Sequence, residues 1–377
     1  MSERRALRGA LYAGGFIGPF GGGMVTVLIP ELRDAFDVST SAASLSLTAY
    51  LVPFAALQLV SGTLGERLGR SRATGIAFLV YAVASAAAAL TTGYAAFLAA
   101  RAIQGAANAF TTPLVLATLA EDTPPPDLGR TMGTFAAVQT AGIVAAPLIG
   151  GVAGALDYRL AFVAAAVAAI ALAVASRPRG GVEEDVAGEA TASPAPAARP
   201  RFADALTRET YRTALAAFLA YLAITGVGVV VALRAGDAFG LGPTARGLLL
   251  AGFGAAGVFA GRPAGAWVDR AGARRVAVTG AIACVATLPL LGLVGGAAAL
   301  ALCWIAAGVA SAFVWAGLNV FTVSAAPRNR GGAVSLIGAF KFAGNALAPV
   351  LWLPLGNAAF TAAAGVCVAM ALVVARS

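Results

Sequence analysis

Apolar residues run through this chain in continuous blocks, and charged residues fall in the gaps between the blocks. No Asp, Glu, Lys or Arg occurs between Arg8 and Glu31, Asp37 and Glu66, Arg72 and Arg101, Arg101 and Glu121, Arg130 and Asp157, or Arg212 and Arg234, and the longest uncharged run extends from Arg275 to Arg328. A helix needs about 20 residues to cross a hydrocarbon core about 30 Å thick, so most of these runs fit one crossing and the longest fits two. A backbone inside lipid must satisfy its own polar groups, which leaves helices or a closed barrel, and unbroken rather than alternating apolar runs select helices. The pattern predicts an all-α membrane protein with twelve helices, near 9–30, 42–62, 73–91, 94–119, 131–154 and 160–176, then 211–233, 244–265, 276–295, 297–323, 332–353 and 356–375. Turn residues at Thr91-Thr92-Gly93, Thr123-Pro124-Pro125-Pro126 and Gly295-Gly296 punctuate them.

Composition agrees. Of 377 residues, 59% are hydrophobic and 11% charged, where a soluble domain carries about 25% charged residues. Residues 177–209 differ from the rest: Glu183, Glu184, Asp185 and Glu189 precede Ser193-Pro194-Ala195-Pro196, and Arg199 and Arg201 follow. This reads as a linker between an N-terminal bundle, 1–176, and a C-terminal bundle, 210–377. If the spans alternate in direction, one side receives most of the arginines, including those at 67, 70, 72, 130, 270, 274 and 275. The other receives Arg33, Arg159, Arg234 and Arg246. The positive-inside bias then places both termini and the linker in the cytoplasm of a cytoplasmic-membrane protein. The formal net charge of +9 is thereby topogenic, and no basic stripe suggests nucleic acid. There is no histidine, so the usual metal ligand and proton shuttle are missing, and neither metal nor cofactor is expected. Cys284, Cys303 and Cys367 fall inside apolar runs and read as packing residues. The first apolar run is too long for a cleavable leader.

The two halves repeat. Gly62-Thr63-Leu64-Gly65-Glu66-Arg67-Leu68-Gly69-Arg70-Ser71-Arg72 recurs 203 positions later as Gly265-Ala266-Trp267-Val268-Asp269-Arg270-Ala271-Gly272-Ala273-Arg274-Arg275. Ala141-Gly142-Ile143-Val144-Ala145-Ala146-Pro147 recurs 202 positions later as Ala343-Gly344-Asn345-Ala346-Leu347-Ala348-Pro349. Duplicated bundles are a common way to build a central site that opens to either side in turn.

With these motifs the chain resembles the major facilitator superfamily over essentially its whole length. The loop at Gly62, Glu66, Arg67, Gly69 and Arg70 is similar to that family's Gly-x-Leu-x-Asp-Arg-x-Gly-Arg-Arg signature, with Glu66 for the usual aspartate and Ser71 at a basic position. Gly265, Asp269 and Arg270 form the second copy. The resemblance implies a cytoplasmic gating latch. Arg101, Gln104 and Gly105 are similar to the family's Arg-x-x-Gln-Gly element. In the predicted fifth helix, Gly133, Gly142, Ala146, Pro147, Gly150 and Gly151 reproduce the spacing of its antiporter motif, with Ala146 in place of glycine. In the resembled family that element marks proton-driven exporters, which usually act as monomers.

Polar residues inside apolar runs are the remaining candidates for coupling or for lining a cavity. Arg101, Gln104 and Asn108 share one helix face, and an arginine within a span faces a partner or an aqueous cavity. Lys341 is the only lysine; Asn345 lies one turn beyond it, and Gln139 is its counterpart in the first half. Asn319 is a further neutral candidate. No Asp or Glu is well inside any span, the nearest being Glu31 and Asp34 after Pro30. The expectation is a secondary active transporter that exports small apolar or amphiphilic compounds, with protons as coupling ion. The alternative is a facilitator for one defined metabolite, anionic if Lys341 and Arg101 both face the cavity. An intramembrane enzyme is disfavoured, since the spans carry neither histidine nor a buried acid pair.

Overall fold

The computed structural model describes residues 2–121, 123–124, 127–175, 202–326 and 329–376. Most of the expected linker (177–201), Pro125, Pro126 and Arg328 lie outside the described residues, as does the side chain of Glu66. The described chain is helical throughout, and every expected span is present. The first span is Ser2–Val27, followed by a short amphipathic helix, Ile29–Phe36, bent from it by 65°. Pro30 in its first turn favours that start, and Ile29 and Leu32 anchor it to the core.

The second to sixth spans are Thr40–Leu68, Arg70–Leu90, Tyr94–Glu121, Leu128–Leu156 and Arg159–Ala175. The seventh is expected as one helix over 211–233. It is instead Arg208–Ala220, a π-helical turn Tyr221–Thr225, and Gly228–Asp237. The eighth is Pro243–Ala271. The ninth, expected over 276–295, is Ala273–Thr287 and Leu290–Leu293, broken where Pro289 cannot donate an amide proton. The tenth to twelfth are Ala297–Ser324, Arg330–Trp352 and Ala358–Ala375.

Nine of the described helices are long and apolar enough to cross a bilayer, or ten with the bent pair counted as one. The fourth span falls short because Arg101, Gln104 and Asn108 lower its hydropathy, and the sixth because it is 17 residues long. Leu79, Val83, Val167, Ile282 and Leu302 are each more than half exposed, as suits a surface facing lipid rather than water.

Packing repeats from half to half. The first span packs on the fifth, the second on the fourth, and the third on the fourth and sixth; the seventh packs on the eleventh, the eighth on the tenth, and the ninth on the tenth and twelfth. The halves then meet chiefly through two pairs, the fifth span with the eighth and the second with the eleventh, with smaller contacts of the first span on the seventh and eighth. Close contacts repeat as well, at an offset of 202 or 203 residues. A methyl added to Gly105 would collide with the Tyr50 carbonyl, and one added to Gly308 with that of Phe253. Gly142 lies in the same way against the Phe16 carbonyl, and Gly344 against that of Phe218. Because backbone cannot yield as a side-chain tip can, Gly105→Ala and Gly308→Ala are each expected to cost about 1–3 kcal/mol. A lowered midpoint of thermal unfolding in detergent would show it.

Candidate functional site

The fourth span carries the largest buried polar group. Arg101 is fully buried: Nε donates to Ser46 O (3.3 Å), one terminal nitrogen to Gly21 O (3.0 Å), and the other to Gln104 Oε1. Its guanidinium lies over the Tyr50 ring, 4.3 Å from the centroid. Gln104 donates onward to Ser85 Oγ (2.7 Å), and Asn108 donates to Gly18 O and to the Tyr50 hydroxyl, both at 2.6 Å. The trio thus ties the first four spans together, and none of the three lines an opening in this conformation. A planar five-donor fork suits this task, since helix carbonyls keep a spare lone pair. At the repeat offset the second half has Trp304 stacked on Phe253, centroids 4.5 Å apart, in place of Arg101 on Tyr50. Ala307 and Ser311 replace Gln104 and Asn108, so the polar network belongs to one half only.

The fifth-span motif resolves into two packing faces. Gly142, Ala146 and Gly150, four residues apart, meet Phe16, Gly23 and Met24 of the first span. Pro147 and Gly151 meet Gly247 and Pro243 of the eighth span across the seam. Gly133, at the other end of the helix, has no described atom within 4 Å of where a side chain would begin. This end is on the face that carries the chain ends.

On the opposite face an ion pair crosses the seam. Arg246, in the first turns of the eighth span, donates to Glu31 Oε1 of the bent segment; the two side chains are 4% and 18% exposed. In the sequence Arg246 counts only as one of the four arginines on this side; Pro243 starts the helix three residues before it, and the side chain is buried in the seam. Asp34 is exposed and pairs with its neighbour Arg33 (2.8 Å).

At mid-depth the second seam is aromatic. Phe54 meets Phe342 edge-on with centroids 4.6 Å apart, and Thr48 donates to Ala346 O (2.7 Å). Tyr221, at the π-helical turn, lies 4.8 Å from Trp315 and 5.8 Å from Phe342. The Lys341 ammonium sits over Tyr221 (4.7 Å) and Phe342 (5.0 Å). Asn345 and Gln139 are half-buried, and Asn319 is exposed near the end of the tenth span. Neither Trp315 nor Phe54 stood out in the sequence, because an aromatic in an apolar run carries no local signal.

On the face of the chain ends the motif residues are apart. Gly62 and Gly265 have open space beside them among the described residues, and Arg67, Asp269 and Arg270 are exposed. Arg70 pairs with Glu121 at the end of the fourth span. Gly69 and its repeat Gly272 start the third and ninth spans with φ of 82° and 84°, a conformation for which glycine is the default.

Comparison with known proteins agrees with this arrangement. The family model of the major facilitator superfamily matches residues 11–209 and 213–376. Relatives include the MFS-type transporter EfpA of Mycobacterium tuberculosis, 29% identical over 137 residues (36% of this chain, 26% of that protein). The drug efflux pump JefA of the same species is 30% identical over 129 residues (34% and 25%), and YybF of Bacillus subtilis 34% over 127 (34% and 31%). The matched segment is thus about a quarter to a third of each relative's length. Among solved structures, a bacterial homologue of the human lysosomal transporter Spinster superposes with a TM-score of 0.76 at 15% identity, covering 99% of this chain and 95% of that one. The human organic anion transporter MFSD10 gives 0.68 at 18% identity, covering 98% and 99%. The chain is a multi-pass membrane protein of the major facilitator superfamily.

Proposed function

We propose that the protein exports small apolar or amphiphilic compounds across the cytoplasmic membrane by alternating access, with protons as coupling ion and with both termini and the linker in the cytoplasm. The carrying observation is the aromatic seam at mid-depth, where Tyr221 and Phe342 flank Lys341, Trp315 packs on Tyr221, and Phe54 of the other half packs on Phe342. Apolar walls with few fixed charges suit amphiphilic ligands of varied shape. The seam is closed on one face by Glu31, Arg246 and the glycine contacts, and on the arginine-rich face Gly62 and Gly265 have no described atom within 4 Å of where a side chain would begin. With the arginine-rich face in the cytoplasm, a conformation open at that face would present the seam to internal substrate. The fifth-helix spacing and the efflux pump among the relatives favour the outward direction.

Every described carboxylate is exposed except Glu31, which makes it the first residue to test for proton coupling. Everted vesicles given an imposed pH gradient are expected to accumulate an amphiphilic dye several-fold over vesicles lacking the protein. Transport that ignores the gradient would remove protons as coupling ion while leaving export itself in place. The second reading, movement of one defined anionic metabolite, needs cationic groups at the cavity. Arg101 is already committed to carbonyls, so that reading rests on Lys341.

A further inference from the structure

We infer that the Lys341 cage is a binding site for the acid group of an amphiphilic aromatic monoanion, a carboxylate or sulfonate whose rings pack on Trp315, Tyr221 and Phe342. The inference rests on the export reading and names its substrate class. Three observations meet here. The first is a cation without a counter-ion: among the described residues no carboxylate pairs with Lys341, whose recorded partners are two ring faces. The second, seventh and tenth spans pack against this helix. The tenth carries no charge, and the others carry theirs near their ends: Glu66 and Arg67, then Arg208, Glu209 and Arg212, then Arg234 and Asp237. Among the described residues Tyr221 is the one titratable group in contact.

The second observation is an unused polar group. Gln58 lies one turn from Phe54 and against Gly338, one turn from Lys341 and Phe342, and its Oε1 is buried without a partner. That oxygen can only accept, so it is the Gln58 amide nitrogen, which also lies against Gly338, that offers a donor to an acid group one turn from the ammonium. The third is the π-helical turn, a feature frequent at functional sites. Its widened backbone holds Tyr221 under Lys341, and the indole of Trp352 donates to the Leu222 carbonyl within it (2.8 Å).

The choice of charge follows from these neighbours. A cationic ligand would face a ring surface already engaged by an ammonium, and would meet a like charge at close range in a medium of low dielectric. A neutral ligand gains the rings but leaves the ammonium uncompensated. An anion supplies the missing partner through a charge-assisted hydrogen bond and keeps its apolar body on the rings. Negative charge also adds a driving force, because an inside-negative potential of 100 mV sustains about a 50-fold outward gradient of a monovalent anion.

The test uses three matched probes, 2-naphthalenesulfonate, 2-naphthylmethanol and 2-naphthylmethylammonium, with the full chain in proteoliposomes and equilibrium dialysis. The sulfonate is expected to bind at least about tenfold more tightly than the ammonium. Lys341→Gln should remove that preference while holding affinity for the alcohol within about twofold, and Lys341→Arg should restore most of it. Unchanged sulfonate affinity in Lys341→Gln, or a preference for the ammonium, overturns the inference. Equal exchange of all three probes by the wild type overturns it too, but leaves the export reading standing. If the wild type exchanges none of the three, the export reading fails and takes the anion site with it.

Discussion

Replacing Arg101 with alanine is expected to lower the stability of the folded protein by about 3–5 kcal/mol, enough to remove most of it from a monodisperse peak in detergent. The side chain is fully buried and holds three acceptors on three different spans, Gly21, Ser46 and Gln104. Alanine leaves a cavity, strips Tyr50 of its cation and frees Gln104 from one partner. Lysine keeps the charge but has no planar fork, so Arg101→Lys should recover only part of the loss. Lys341→Gln is the internal control: its side chain is half-buried and makes no hydrogen bond to a described residue, so its unfolding midpoint should stay within a degree or two. Arg101→Ala protein that unfolds like the wild type yet transports nothing would reverse this assignment and restore arginine as a coupling residue.

That outcome matters because sequence and structure place different weight on the same residues. An arginine, a glutamine and an asparagine on one face of an apolar helix are legible as a functional stripe. The sequence does not say whether the stripe faces water or other helices. What would have helped is the second half: Trp304 stands where Arg101 stands, so an apolar pair does the same packing there. A coupling residue would not need a matching structural place in the other bundle, whereas a packing residue does.

The spans themselves were readable because charge-free runs of about 20 residues have one stable solution in lipid. Breaks inside spans were less readable. Pro289 marks the interruption of the ninth span, but the π-helical turn at Tyr221 has no proline beside it and depends on tertiary contacts such as Trp352 with Leu222. Motif glycines were legible as a set but not one by one. Gly69 and Gly272 are needed for positive φ, Gly142 and Gly151 for close approach to a backbone, and Gly62 and Gly265 for neither in this conformation. If the family's latch closes the face of the chain ends, Gly62 and Gly265 would find their contacts in the conformation where that face is shut.

The second large effect should appear at the opposite face. Glu31 and Arg246 are the described ion pair that joins the two halves, and the pair sits where Gly151 and Gly247 already press the fifth and eighth spans together. When that face opens, both side chains regain water, so their attraction counts only in the closed conformation. Truncating one partner of a hydrogen-bonded charge pair this sheltered costs about 2 kcal/mol or more, which moves the closed-to-open ratio by about 30-fold. Glu31→Gln and Arg246→Gln are each expected to populate the form open at this face. Spin labels at Leu156→Cys and Ala245→Cys, with Cys284, Cys303 and Cys367 replaced by alanine, would report it as a second, longer distance. The exchanged pair Glu31→Arg with Arg246→Glu should bring back the single short distance, because it restores the attraction with its sign reversed. Single variants that keep the parent distribution would show that the glycine contacts alone hold the seam. Glu31 would then lose its place in the closure.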